Sequence, residues 1–245
     1  MHGCGNDFVV IDQGPSETGP LAKSMCDRHF GVGADGLMIV GAGDAPKIEM
    51  INPDGTPGDV CGNGLRCVAL FLRGQNRLNR EFELLMAGRR MPGLDLGENR
   101  FEVDLGPFTV SGVRCLEDVG VSGTYVNLGN PHFVVTVDDL STVVLGTIGP
   151  QIENHVAFPG RTNVHFVQLI GPSKLRMITW ERGAGETLAC GSGACAAAVV
   201  AHERGHASPI CVCVPGGDLQ ISIGQDGHLK MTGPAQTVFT GEWPT

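Results

Sequence analysis

The sequence predicts an α+β protein built as two homologous halves, each rich in strands and carrying one central helix. Three observations predict it: short alternating runs bounded by turn residues, two apolar helices each headed by Cys-Gly-polar-Gly, and an internal repeat that keeps its order. GNDFVVID (Gly5 to Asp12) returns 124 residues later as GNPHFVVTVD (Gly129 to Asp138). CGNG at Cys61 returns 129 residues later as CGSG at Cys190. Between them EMINPDG (Glu49 to Gly55) matches TWERGAG (Thr179 to Gly185), and LGPFTV at Leu105 matches TGPAQTV at Thr232. Four markers in one order, at nearly constant offsets, indicate a duplication. The halves are expected at residues 1–114, joined by 234–245, and at 115–233.

Along the chain, Pro20 to Arg28 reads as a helix with a proline in its first turn. KIEMI (47–51) alternates and reads as a strand. The first cysteine motif opens a helix over Gly62 to Arg73, with Gly74 as its stop. RFEVDL, TYVNL and HFVVTV then read as strands, and Asp139 to His155 as helix in broken pieces. KLRMITW is a strand, the second cysteine motif opens a helix over Gly191 to Arg204 with Gly205 as its stop, and ICVCV and DLQISI are strands. Glycine, at 37 of 245 residues, is roughly double its usual share, so tight turns and close backbone approaches are expected.

Composition removes several classes of function. Lys plus Arg total 17 against 26 for Asp plus Glu, a net charge of -9, and Arg89-Arg90 is the only adjacent basic pair, so no nucleic-acid partner is expected. The longest uncharged apolar stretch, Leu188 to His202, falls short of the ~20 residues that span a membrane. Polar residues interrupt the first dozen positions, which argues against a signal peptide. Nine cysteines is an odd count and suits a reducing compartment, so a soluble cytoplasmic protein is expected. Cys4, Cys26, Cys67, Cys115, Cys211 and Cys213 are expected to be mostly small buried hydrophobes.

The paired motif carries the chemistry. A cysteine followed by Gly-Asn-Gly or Gly-Ser-Gly at a helix start sits among backbone N–H groups that lack intrahelical acceptors. Those donors and the positive end of the helix dipole bind a carboxylate and favour thiolate over thiol. Two such half-sites on either side of one carboxylate would take a proton from one face of the adjacent carbon and deliver one to the other. The competing possibility is that Cys61 and Cys190 are buried helix caps. The cysteine spacings, C-x₅-C, C-x₄-C and an isolated C-x-C at Cys211 and Cys213, do not match a zinc site, and C-x-x-C is absent. None of the four lysines lies in a glycine-rich turn, so pyridoxal chemistry, and any cofactor, is not expected.

These segments resemble the diaminopimelate epimerase family: HGCGNDFVV, RHFGVGADG, INPDG, CGNGLRC, GNPHFVV, TNVHFV, WERGAGET, ACGSGACA and MTGPA, which cover nearly the whole chain. The resemblance implies two pseudo-symmetric α+β domains, each a curled, mostly antiparallel sheet around a central helix. It implies a cofactor-independent, metal-free enzyme that interconverts L,L- and meso-diaminopimelate for lysine and peptidoglycan synthesis, as a homodimer. Carried over by position, Cys61 and Cys190 are the acid/base pair, and His132 and Glu181 sit beside the thiols. Gly62 with Asn63, and Gly191 with Ser192, supply donors to the reacting carboxylate. Arg182 with Asn52 and Asn163 holds the remote end, Asn6 and Asn130 make further substrate contacts, and Glu181 also touches substrate. One departure is Gly36, where the family often carries a glutamine that touches substrate. A racemase of another amino acid, or a non-catalytic amino-acid-binding or redox-sensing protein, would share the cysteine motifs.

Overall fold

Alternating residues become strands wherever turn residues bound them, and all seven quoted runs do so in the computed structural model, which describes residues 1–244. The chain divides into two units, Met1–Asp104 with the chain from Thr232 onward, and Leu105–Met231.

The first unit holds β1 (His2–Gly3), β2 (Asn6–Asp12), α1 (Thr18–Cys26), β3 (Gly36–Val40), β4 (Lys47–Ile51), α2 (Gly62–Gly74), β5 (Glu81–Met86), β6 (Arg89–Asp95) and β7 (Arg100–Pro107), whose end crosses the boundary. These strands neighbour one another in chain order. Pairs β2/β3 and β4/β5 are parallel, and the other pairs are antiparallel. The α2 helix rests on β1, β2 and β3 and buries Leu65, Val68, Ala69 and Leu72. Each of its larger apolar side chains contributes about 1.5–3 kcal/mol relative to exposure. Helix α1 covers β3 and β4 through Ala22, Met25 and Cys26, packed on Leu37, Ile39 and Ile51.

The second unit holds β8 (Thr109–Leu116), β9 (Val121–Asn127), β10 (Pro131–Thr136), a 3-10 turn at Leu140–Thr142, α3 (Leu145–Glu153), β11 (Asn163–Gly171), β12 (Lys174–Glu181), β13 (Gly185–Thr187), α4 (Gly191–Glu203), β14 (Ile210–Val214) and β15 (Gly217–Ile223), followed by β16 (His228–Pro234), which crosses back. Its sheet runs β15-β14-β12-β11-β10-β9-β8, with β13 beside β12. Here β10/β11 and β12/β14 are parallel. The succession of parallel, antiparallel, parallel and antiparallel pairs from β2 to β6 therefore recurs along β10, β11, β12, β14 and β15, which is the duplication expressed as topology. Helix α4 is the centre of this unit: β9, β10, β11, β12, β14 and β15 all touch it. Its buried face is almost entirely small, Ala194 to Ala198, which lets strands approach closely on several sides.

Several expectations need correction. The α1 helix starts and ends two residues before the expected Pro20 to Arg28. Gly74 is the last residue of α2 rather than its left-handed stop. That conformation belongs to Asn76 (φ 57°), and the Arg77 N–H closes on the Leu72 carbonyl at 2.9 Å. Asparagine tolerates the left-handed region well enough to end a helix. In α4 the expected Gly205 (φ 91°) does the job. Of the six cysteines expected inside, Cys4, Cys26 and Cys67 are buried, Cys115 is exposed, and Cys211 and Cys213 are half-buried. Strand alternation explains the last two, because Val212 and Val214 take the core face of β14. Among the described residues no helix is long and apolar enough to cross a membrane.

Candidate active site

In the first unit Cys61 is the N-cap of α2, with extended backbone (φ -122°, ψ 106°). Its sulfur accepts from the Gly64 N–H at 3.5 Å, and its thiol reaches the Asn6 side-chain oxygen at 3.7 Å. The first intrahelical bond runs from Leu65 N–H to the Cys61 carbonyl, so the amides of Gly62 and Asn63 precede the helix ladder. Asn6 and Asn63 are locked to each other. The Asn63 amide donates to Asn6 Oδ1 at 3.1 Å, Asn6 Nδ2 donates to Asp35 at 2.7 Å, and Asn63 Oδ1 accepts from Arg66 at 2.8 Å. Arg66 is fully buried and also donates to the carbonyls of Gly62 and Pro234, at 3.3 and 3.2 Å. The sequence gives no sign of this role, since an arginine on a helix ordinarily faces water.

Asn52 behaves differently. Its amide donates to Thr56 Oγ1 at 3.0 Å and to the Pro57 carbonyl at 3.2 Å, within the turn that follows β4. Gly36 opens β3, where a Cβ would lie 3.2 Å from the Ile51 carbonyl and 3.3 Å from Met50 Cε. A longer residue there needs those neighbours to yield.

In the second unit Cys190 is the N-cap of α4 and is buried. Its sulfur lies 3.7 Å from Ser192 Oγ, and Ser192 Oγ accepts from the Asn130 amide at 3.3 Å. Burial, then the neighbouring Glu181 carboxylate, pushes the Cys190 thiol well above its ordinary range. The helix start was expected to favour thiolate; at Cys190 desolvation and a like charge outweigh it. Glu181 is held by the Thr187 hydroxyl at 2.6 Å.

His132 is fully buried and sits at the head of a polar chain that sequence reasoning missed. Its Nε2 is 2.8 Å from Asn130 Oδ1, and its Nδ1 is 2.9 Å from His165 Nε2, while His165 Nδ1 is 2.7 Å from Thr179 Oγ1. One ring nitrogen from each histidine and the Cys190 sulfur lie within 4.8 Å of one another. Burial pushes His132 well below the usual histidine range, with His165 and Arg182 adding to it, and burial takes His165 down to about 3. Both rings are therefore neutral at physiological pH, with one donor and one acceptor each. Because the Asn130 oxygen can only accept, His132 carries its proton on Nε2. His165 must then donate from Nε2 to His132 Nδ1 and accept from Thr179. A Cβ on Gly193 would lie 2.2 Å from His165 Cε1, so the second glycine of CGSG is required by this ring.

Asn163 ties two loops together, its amide donating to the Pro131 carbonyl at 2.9 Å and its oxygen accepting the Arg182 N–H at 3.0 Å. The Arg182 guanidinium reaches the Gly160 carbonyl at 3.3 Å. Glu153, also missed from sequence, is almost fully buried and accepts from Trp180 Nε1 at 2.7 Å and from Gly183 N–H at 2.9 Å, bracketing Glu181 and Arg182. The structure thus gathers Asn6, Cys61, Gly62 and Asn63 in one unit. In the other it gathers Asn130, His132, Asn163, Glu181, Arg182, Cys190, Gly191 and Ser192. Asn52 stands apart from the Cys61 cluster, in its own turn.

Comparison with known proteins agrees with the motifs. The family model described as diaminopimelate epimerase matches residues 1–109 and 124–238. The diaminopimelate epimerase of Pelotomaculum thermopropionicum is 42% identical over 99% of this chain and 97% of its own length. That of Microcystis aeruginosa is 43% identical over 99% and 96%. Among solved structures, a probable proline racemase from Agrobacterium radiobacter K84 superimposes with a TM-score of 0.72 over 98% of this chain and 92% of its own, at 14% identity, which shows the shared fold alone. The chain belongs to the diaminopimelate epimerase family.

Proposed function

We propose that the protein interconverts L,L-diaminopimelate and meso-diaminopimelate by proton transfer at one α-carbon, in lysine and peptidoglycan-precursor synthesis. The observation that carries this reading is the same Cys-Gly-polar-Gly N-cap at the start of a buried helix in both units of a chain from this family. Cys61 and Cys190 are the two acid/base groups, and no cofactor or metal takes part. Burial and the Glu181 carboxylate favour the thiol form at Cys190, and the two sulfurs exchange donor and acceptor roles with the direction of the reaction. The leading amides of α2 and α4, at Gly62, Asn63, Gly191 and Ser192, stabilise the charge that develops at the carboxylate. His132 and Glu181 set the polarity around Cys190. Arg182, Asn163 and Asn52 hold the remote amine and carboxylate, with Asn6 and Asn130 as further contacts and Glu181 as a contact to the reacting end. The protein acts as a cytoplasmic homodimer, as the family resemblance and the odd cysteine count support.

The test is chiral chromatography of L,L-diaminopimelate incubated with the reduced protein, beside lysine, histidine, glutamate and proline. Appearance of the meso form alone is expected. Inversion of another amino acid in its place would overturn the substrate.

His165 follows as a positioning residue. In His165→Leu the donor to His132 Nδ1 is gone while Asn130 still accepts from Nε2–H, so the proton is expected to stay on Nε2 and the Nδ1 resonance to shift to that of an imidazole nitrogen without a hydrogen-bond donor, visible by ¹⁵N NMR. Losing one such hydrogen bond, about 1–1.5 kcal/mol, corresponds to a roughly tenfold fall in kcat. An unchanged His132 Nδ1 resonance would reject the chain as drawn.

A further inference from the structure

The Cys-x-Cys pair that the epimerase chemistry leaves unused lies on a single hairpin. β14 and β15 are antiparallel, with Cys213 paired to Asp218 and Cys211 to Gln220. Ile210, Val212 and Val214 are buried, so alternation turns Cys211 and Cys213 together to the opposite face. The Cys211 thiol points to Asp218 Oδ2 at 3.9 Å. One ligand atom from each of Cys211, Cys213 and Asp218 lies within 4.8 Å of the other two.

We propose that Cys211, Cys213 and Asp218 form a binding site for a thiophilic divalent cation of the zinc class. Two sulfurs and one carboxylate oxygen are the donors a borderline-soft ion takes, whereas calcium or magnesium would require more oxygens. Three atoms no more than 4.8 Å apart share a centre within about 2.8 Å of each. Zinc bonds are about 2.3 Å to sulfur and about 2.0–2.2 Å to oxygen, so side-chain shifts of roughly half an ångström to one ångström complete the geometry. The fourth tetrahedral position faces the open side of the sheet and takes water. On binding, each thiol releases its proton to solvent, two metal–sulfur bonds form, and no oxidation state changes.

The surroundings balance the charge. Two thiolates and a carboxylate exceed a divalent ion by one negative charge. The parallel neighbour β12 sets Lys174 beside Cys211 and Arg176 beside Cys213, on the same face. Lys174 Nζ stands 4.0 Å from Asp218 Oδ2, where it holds the carboxylate and competes with the ion for it. Sequence spacing points away from zinc at this C-x-C; the third ligand comes from hairpin register, which spacing does not reveal.

The experiment is titration of the reduced, metal-free full chain with Co²⁺, followed by its sulfur-to-cobalt charge-transfer band in the near ultraviolet. The band is expected to saturate at about one equivalent, to fall to about half in Cys211→Ser or Cys213→Ser, and to vanish in the double variant. Asp218→Asn should weaken binding about tenfold while keeping the band, Lys174→Met should tighten it, and Zn²⁺ should displace Co²⁺. All these variants should retain wild-type circular dichroism. A band undiminished in the Cys211→Ser/Cys213→Ser variant would place the ion on other thiols and overturn the site, as would no band in the wild-type protein.

Discussion

Cys190→Ser or Cys61→Ser is expected to lower the rate of epimerisation by a factor of at least ~10³, while circular dichroism and the thermal midpoint stay near those of the parent. A positioned acid or base contributes about 10²–10⁴-fold, and a serine hydroxyl gives up or holds a proton at the wrong strength for either role. The fold should survive because each cysteine is an N-cap, a position where serine is itself favoured. The two variants should differ in their surroundings. At position 190 the hydroxyl lies beside Glu181 and Ser192 and finds partners, so the lost activity cannot be traced to a lost fold. Near-wild-type rates in either variant would remove that sulfur from the chemistry.

Arg66→Ala is expected to cost about 3–4 kcal/mol, because a fully buried guanidinium holds the Gly62 and Pro234 carbonyls and the Asn63 side chain. Hydrogen bonds from a charged donor are worth about 1.5–3 kcal/mol each, and sums over one side chain fall short of additive. For a chain of this size that loss lowers the thermal midpoint by roughly 8–12 °C. Activity should fall too, since Asn63 then loses the anchor that aims its amide at Asn6 and, through Asn6, fixes the surroundings of the Cys61 thiol. Arg66→Lys keeps one donor group and should recover part of the stability. A melting curve that overlays the parent would show that the network carries no load.

The duplication was legible because both copies keep their chemistry and their turns: Cys61 and Cys190 occupy matching N-caps, and Asn6 begins β2 as Asn130 immediately precedes β10. The seven quoted strands were legible from alternation alone. What stayed hidden depends on contacts distant in sequence. His165 meets His132 because β10 and β11 run parallel with His132 beside Asn163, a register no local pattern states. Glu153 ends an ordinary amphipathic helix, and only the packing of α3 on β12 brings it to Trp180 and Gly183. Arg66 carries no local signal of its burial, since its three acceptors at Gly62, Asn63 and Pro234 are brought around it only by the fold. The stop at Asn76 rather than Gly74 is subtler, since composition favours glycine there and the backbone chose the asparagine two residues on.

The proposed pairing of Cys61 and Cys190 in one proton transfer is tested most directly by proton NMR of L,L-diaminopimelate with the reduced protein in D₂O, read before the meso form accumulates. Deuterium is expected at the inverted α-carbon of the meso product, because the donating thiol carries a solvent-derived deuteron, while recovered L,L-diaminopimelate keeps its α-protons. Deuterium entering recovered L,L-diaminopimelate as fast as it enters the product would point to a single exchanging base, and would contradict the assignment of Cys61 and Cys190 as a pair.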